Sequence, residues 1–193
     1  GLSNPSLWGK LNYTIRYLFY SKEGIFSTPV NVCSKFIVVF IIFGAFLERT
    51  GIGDFFIQIS NAVVGRFSGG PAKVAVVASA FEGMVSGSSV ANTVGSGSVT
   101  IPLMKKTGYK PEFAAAAEAS ASTGGQIMPP ILGAAAFLMA DYVQIPYAQI
   151  ALKAILPAVL YFAGVFITVH LEAKKLGLRG LTKDELPKLK PLL

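Results

Sequence analysis

Charge is the scarcest thing in this sequence. Asp, Glu, Lys and Arg together make up 14% of its 193 residues, against about 25% in an ordinary soluble domain. There is one cysteine, Cys33, so no internal disulfide can form, and one histidine, His170. These two cannot supply the Cys/His set of a structural zinc site. Acidic residues are the rarer sign, 10 against 17 Lys and Arg, which leaves a net charge of +7. The basic residues cluster at the ends of apolar runs and not in an aromatic-interleaved stripe. That suits a membrane face and not a nucleic acid. No GxxxxGK(S/T) loop and no GxSxG elbow occurs, so neither a P-loop motor nor that nucleophile motif is present. The sequence shows no initiator Met and no signal-peptide pattern at its start, and is expected to be a fragment of something longer.

What is present is apolar. Hydrophobic residues make up 52% of the chain, and its mean hydropathy is +0.57. One uncharged polar stretch, 85–100 (VSGSSVANTVGSGSVT), is set into this background, and eleven of its sixteen residues are Ser, Gly, Thr or Asn. Non-helical backbone at membrane depth is tolerated only where it is buried in protein or lines a cavity. The stretch therefore predicts a non-helical polar break between two short apolar arms. Such a break marks an ion or substrate site in secondary transporters.

The remainder reads as an all-α membrane protein. Residues 1–29 are expected to form an interfacial amphipathic helix and loop, with Leu7, Trp8, Leu11, Ile15, Leu18 and Phe19 at near-helical spacing. Residues 30–171 are the expected membrane domain. Within it, 30–47 is a first span, with Lys35 near enough to its start to snorkel. The run 52–67 is shorter than the roughly 20 residues a span needs, and reads as a surface helix. Residues 71–106 read as a re-entrant helical hairpin. Its first arm, about 14 residues, is too short to cross. Pro71 suits a first helical turn, and Lys73, Lys105, Lys106 and Lys110 mark both ends. Residues 112–142 read as a broken helix, interrupted at 123–130 (TGGQIMPP) by Gly-Gly and Pro-Pro pairs. A last span is expected at 147–171, with a possible kink at Pro157. A cytoplasmic basic tail or linker follows at 172–193. With the hairpin ends and the tail inside, most of the basic residues face the cytoplasm.

Three groups of polar residues stand out. Ser88, Ser89, Asn92 and Thr93 offer uncharged oxygens to a hard cation such as sodium. Small-residue helix packing is the alternative reading. The segment 123–130, with Gly125, Gln126 and Pro129, reads as unwound backbone facing the hairpin tip, or as a simple proline kink. A half-helix starting near Pro130 would offer partial positive charge to an anionic substrate. Glu82 and Glu118 lie in apolar sequence. Intramembrane carboxylates are by default ion ligands or proton carriers, and pairing with a nearby lysine is the alternative.

The segments FGAFLERTGIGDFF, GRFSGGPAKVAVVASAF, SGSSVANTVGSGSVTIPLMKKTGYKPEFAAAAEASASTGGQIMPP and HLEAKKLGLRGL resemble the large membrane (permease) subunit of tripartite ATP-independent periplasmic (TRAP) transporters. They look most like the branch in which small and large subunits are fused. The resemblance covers most of 25–180. It implies a multi-pass protein of the bacterial or archaeal inner membrane, one half of an inverted-repeat, elevator-type transporter. It implies a non-enzymatic, sodium-coupled import of an organic acid, often a carboxylate, with sodium as coupling ion and no other cofactor. The implied partners are an extracytoplasmic solute-binding protein, the remaining repeat and the small membrane subunit, with no nucleic acid. The resemblance implies cation-binding roles for Ser88, Ser89, Asn92, Gly125 and Pro129. Thr93 and Gln126 are their neighbours, and Glu82 and Glu118 are further residues that could line the site. Glu82 departs from the small or apolar residue expected there. A channel module with a re-entrant filter loop and a membrane assembly subunit are the competing classes. Two distinct interrupted elements favour the transporter.

Overall fold

The computed structural model describes residues 6–21 and 23–181. Among these residues there are helices and no strand. Helix α1 (Leu7–Tyr20) starts at Ser6, whose Oγ accepts the Gly9 N–H at 3.2 Å, a standard N-cap. Helix α2 (Thr28–Val32) continues through a π-helical turn (Cys33–Ile37) into α3 (Val38–Arg49). Gly51, in the left-handed region at φ 82°, turns the chain into α4 (Ile52–Val64). Then come α5 (Gly70–Ser86), α6 (Ser89–Gly95), α7 (Gly97–Lys106) and α8 (Pro111–Gly124). A 3-10 turn (Gly125–Ile127) and six non-helical residues separate α8 from α9 (Ala134–Val143). Helix α10 (Tyr147–Lys175) runs uninterrupted across Pro157 and past the span end expected at 171.

The polar stretch at 85–100 corrects its sequence reading, because it is almost wholly helical. Its hydroxyls lie against carbonyls of their own helix: Thr93 Oγ1 donates to Ser89 O at 2.8 Å, and Ser96 Oγ lies 2.8 Å from Asn92 O. Thr100 Oγ1 lies 2.9 Å from Ser96 O. Such back-bonding lets Ser and Thr sit inside a helix in apolar surroundings. The break is confined to Gly87 and Ser88. Gly87 has φ 58°, and a Cβ there would lie 2.8 Å from Leu132 O, so both conformation and space require glycine. Ser88 restarts the helix, its Oγ accepting the Ala91 N–H at 3.3 Å. Helices α6 and α7 meet at Ser96, which keeps helical dihedrals.

Helices α5 and α8 form the centre, with α7 and α10 against them. Their contact is made of small residues: Ala72 and Ala75 on α5, and Ala114, Ala117 and Ala121 on α8, are all buried. Small side chains let helix axes approach closely, so packing can hold the helices together without bulky apolar groups. The two ends of the α5 to α7 hairpin lie side by side. Tyr109 Oη donates to Gly69 O at 3.4 Å, and Gly69 abuts Ala173 near the end of α10. Lys73, read in the sequence as marking a water-facing hairpin end, is 3% exposed. Its ammonium lies 5.7 Å and 5.4 Å from the Phe67 and Phe166 ring centres, a cation–π arrangement that replaces water. After α10 the chain turns back, with Leu181 N donating to Gly65 O at 2.9 Å. Residues 182–193 of the expected tail, and residues 1–5, lie outside the described residues.

Helix α9 is pinned by aromatic stacking. Phe137 stacks on Tyr147 at 4.4 Å between centroids, and Phe40 lies 5.0 Å from Phe137. Two helical stretches, Thr28–Leu47 (20 residues) and Tyr147–Lys175 (29 residues), are apolar and long enough to cross a bilayer. Their large side chains point outward, as Ile41 and Leu156 show at 64% and 68% exposure. A core helix of a soluble protein would bury them. The protein is an all-α membrane protein.

Candidate functional site

Three helical stripes of polar and small residues converge where the hairpin tip meets the break after α8. On α5 the stripe is Ser79, Glu82, Gly83 and Ser86; along α6 and α7 it is Asn92, Ser96 and Thr100; on α8 it is Glu118 and Ser122, followed by Gly125. Positions three and four apart share a helix face, so each stripe points one way.

Besides the approach of Gly87 to Leu132, the tip and the break touch at two places. Gln126 Nε2 donates to Ser89 Oγ at 2.7 Å. Gly125 lies so close to Asn92 that a Cβ on it would sit 2.6 Å from Asn92 Nδ2 and 3.0 Å from Gly83 Cα. Asn92 is 1% exposed, and both ends of its amide are held. Its Nδ2 donates to Ser79 O at 2.9 Å, and its Oδ1 accepts from Ser86 Oγ at 3.0 Å. Ser88 sits in the turn itself, with its carbonyl 3.5 Å from Ser86 Oγ. Ser89, Asn92, Gly125 and Gln126 thus come together, with Ser88 directly before Ser89 in the chain. Among the described residues, Thr93 bonds only back along its own helix. Pro129 belongs to the non-helical segment, where the bond to Pro130 is cis. Tyr147 holds that segment, its Oη donating to Pro130 O and accepting the Leu132 N–H, both at 2.9 Å.

The oxygens gathered here are hydroxyl, amide and carbonyl. They include those of Ser86, Ser88, Ser89 and Asn92, with the carbonyls of Ile131 and Leu132 beside Gly87. A set of uncharged oxygens without thiol or imidazole fits a hard cation such as sodium.

The two carboxylates part company. Glu82 lines a cleft of about 340 Å³ between α4 and the hairpin, together with Asp54, Ser86, Asn92 and Ser98. Among the described residues, that lining holds no lysine or arginine. Glu118 is fully buried behind the tip. Its Oε1 accepts from Ser96 Oγ at 2.6 Å and from Ser79 and Ser122 Oγ at 3.2 Å, and its Oε2 accepts from Thr100 Oγ1 at 2.6 Å. Among the described residues no lysine or arginine forms an ion pair with it, which removes the lysine-pairing alternative for Glu118. Ser79, Ser86, Ser96, Thr100, Ser122 and Tyr147 all belong to this assembly and escaped the sequence reading. For Ser86, Ser96 and Thr100 the signal is helical spacing, hidden by taking 85–100 as a loop.

A family model described as "Tripartite ATP-independent periplasmic transporter, DctM component" matches residues 20–193. The chain belongs to the DctM family. It is 33% identical over 135 residues to the C4-dicarboxylate TRAP transporter large permease protein DctM of Vibrio cholerae, covering 70% of this chain and 29% of that protein. The protein of the same name from Pseudomonas aeruginosa is 27% identical, over 78% of this chain and 35% of the relative. The isethionate TRAP transporter permease protein DctMQ of Oleidesulfovibrio alaskensis is 28% identical, over 90% of this chain and 26% of the relative. The chain spans about a quarter to a third of the length of these DctM relatives.

Proposed function

We propose that this chain forms one repeat of the transport domain of a sodium-coupled importer of an organic acid, a carboxylate. It would work in a bacterial or archaeal inner membrane with its second repeat, a small membrane subunit and an extracytoplasmic solute-binding protein. The observation that carries this reading is the contact of the hairpin tip with the interrupted helix, Ser89 to Gln126 and Asn92 to Gly125. Transporters build midplane ion sites from paired interruptions of this kind. Family membership supports the reading, and C4-dicarboxylate and isethionate, in the relatives' names, are both organic anions.

The hairpin is re-entrant in this proposal. Its start, Gly69, packs on Ala173, while Gly124, beside the tip, packs on Tyr161. Those two positions are twelve residues apart on α10, about 18 Å at helical rise. That is well short of the roughly 30 Å hydrocarbon core. Val90 and Val94, on the tip helix, are 72% and 69% exposed and would be covered by the rest of the transporter.

The test is uptake into proteoliposomes by the full-length parent protein with its binding protein. An inward sodium gradient is expected to drive accumulation of the organic acid. Uptake indifferent to the sodium gradient, or steady single-channel currents, would overturn the proposal.

A further inference from the structure

Elsewhere along α8 the inward face carries small residues, Ala114, Ala117, Ala121 and Ser122. At the one level facing the hairpin tip it carries a carboxylate. Packing alone does not call for Glu118, since a buried carboxylate is costly unless it is fully hydrogen-bonded. We propose that Glu118 is the positioning residue of the hairpin tip: it clamps both hairpin arms to α8 and thereby fixes Asn92 against Gly125. The inference rests on the cation-site reading given above.

The geometry of the clamp is specific. Ser79 on the first arm, Ser96 and Thr100 on the second, and Ser122 on α8 itself all place hydroxyls on the two carboxylate oxygens. A glutamate side chain brings two oxygens to these four hydroxyls. The two 2.6 Å contacts fall in the short range typical of hydroxyls bound to a carboxylate. Helix α7 comes close enough that a Cβ on Gly97 would lie 3.0 Å from Glu118 Cγ.

From the clamp to Asn92 is one further step on each side. Ser79 offers its hydroxyl to Glu118 and its carbonyl to Asn92 Nδ2. Ser96 bonds Glu118 through Oγ, and its backbone N–H donates to Asn92 O at 3.0 Å. Ser96 and Thr100 each have one hydroxyl proton and two acceptors in reach, a carbonyl of their own helix and a Glu118 oxygen. Without the carboxylate those hydroxyls turn to their own helix. The arms then lose these links to α8, and Asn92 is no longer held at Gly125.

The experiment uses the full-length transporter with its binding protein. It reads the sodium concentration for half-maximal uptake, together with the melting temperature of each purified variant. Glu118→Leu and Thr100→Val are each expected to raise the half-activating sodium concentration by roughly fivefold or more. Glu118→Gln should recover most of what Glu118→Leu loses. The amide keeps an acceptor for Ser79, Ser96 and Ser122, and Thr100 can turn its proton to Ser96 O. A lower melting temperature without a shift in sodium activation would mean a merely structural role and would overturn the inference. A Glu118→Gln defect as large as that of Glu118→Leu would overturn it too, since charge and not position would then matter. Should Glu118→Leu fail to fold, Thr100→Val decides alone. Asn92→Ala serves as the comparator. If it leaves sodium activation unchanged, the cation-site reading itself falls. If it shifts activation while Thr100→Val and Glu118→Leu do not, only the role of Glu118 falls.

Discussion

Asn92 and Gly125, thirty-three residues apart in sequence, stand so close that a methyl group on Gly125 would lie 2.6 Å from the Asn92 side-chain nitrogen. Gly83 closes the same spot from α5. Gly125→Ala must therefore push the hairpin tip off the break. Overpacking of this kind typically costs about 1–3 kcal/mol. Thermal unfolding of the purified full-length variant is expected to move down, and uptake to fall. An unchanged melting temperature and unchanged uptake would contradict the close approach.

Tyr147 ties the interrupted segment to the start of α10. Its hydroxyl serves Pro130 O and the Leu132 N–H at once. Tyr147→Phe keeps the ring that stacks on Phe137 and removes only this bridge. The loss of a buried partner is worth about 1–3 kcal/mol. Hydrogen exchange at the Leu132 amide should accelerate while exchange in the middle of α10 stays as it was. Equal protection of Leu132 in both proteins would show that the bridge is not used.

The sidedness of the hairpin can be read by labelling. Lys73 is too buried to report on the start of α5, but Arg66 and Lys105 are exposed. In a full-length protein with the exposed Cys33 replaced by serine, cysteines at these two positions should react with a membrane-impermeant reagent from the cytoplasmic side only. One cysteine reacting from each side would mean that the segment crosses the membrane.

Much of this architecture was legible in the sequence, for identifiable reasons. The interruption after α8 is written in Gly124, Gly125, Pro129 and Pro130, whose backbone chemistry leaves little choice. The two long spans follow from uninterrupted apolar length. Gly87 and the polar residues after it mark the turn between α5 and α6, but not how short that turn is. Ser, Thr, Asn and Gly between 85 and 100 have modest or poor helix propensity, and were read as a loop. In the fold the Thr93 hydroxyl bonds a carbonyl one turn back, those of Ser96 and Thr100 meet Glu118, and the close-packed interior makes helix the state that leaves fewest polar groups unpaired. With the helix unrecognised, the spacing of Asn92, Ser96 and Thr100 carried no message, and neither did the pairing of that stripe with Glu118 and Ser122. Glu118 was picked out as a carboxylate in apolar sequence, while the four hydroxyls that hold it were not. The burial of Lys73 depends on Phe166, ninety-three residues away, and nothing local announces it.

The central claim is that the hairpin tip and the break after α8 together bind the coupling cation. The most direct measurement is the sodium dependence of uptake by the full-length transporter carrying Ser89→Ala or Asn92→Ala, with Thr168→Ala as the control. Among the described residues, Thr168 bonds only back to Gly164, on the exposed side of α10. Removing an oxygen from the tip is expected to raise the half-activating sodium concentration by roughly five- to a hundredfold, taking the cost of an unsatisfied buried polar group as the scale. Thr168→Ala should leave it where it was. Normal uptake with unchanged sodium activation in both Ser89→Ala and Asn92→Ala would contradict the account, and the tip would then be a packing element with the coupling site elsewhere.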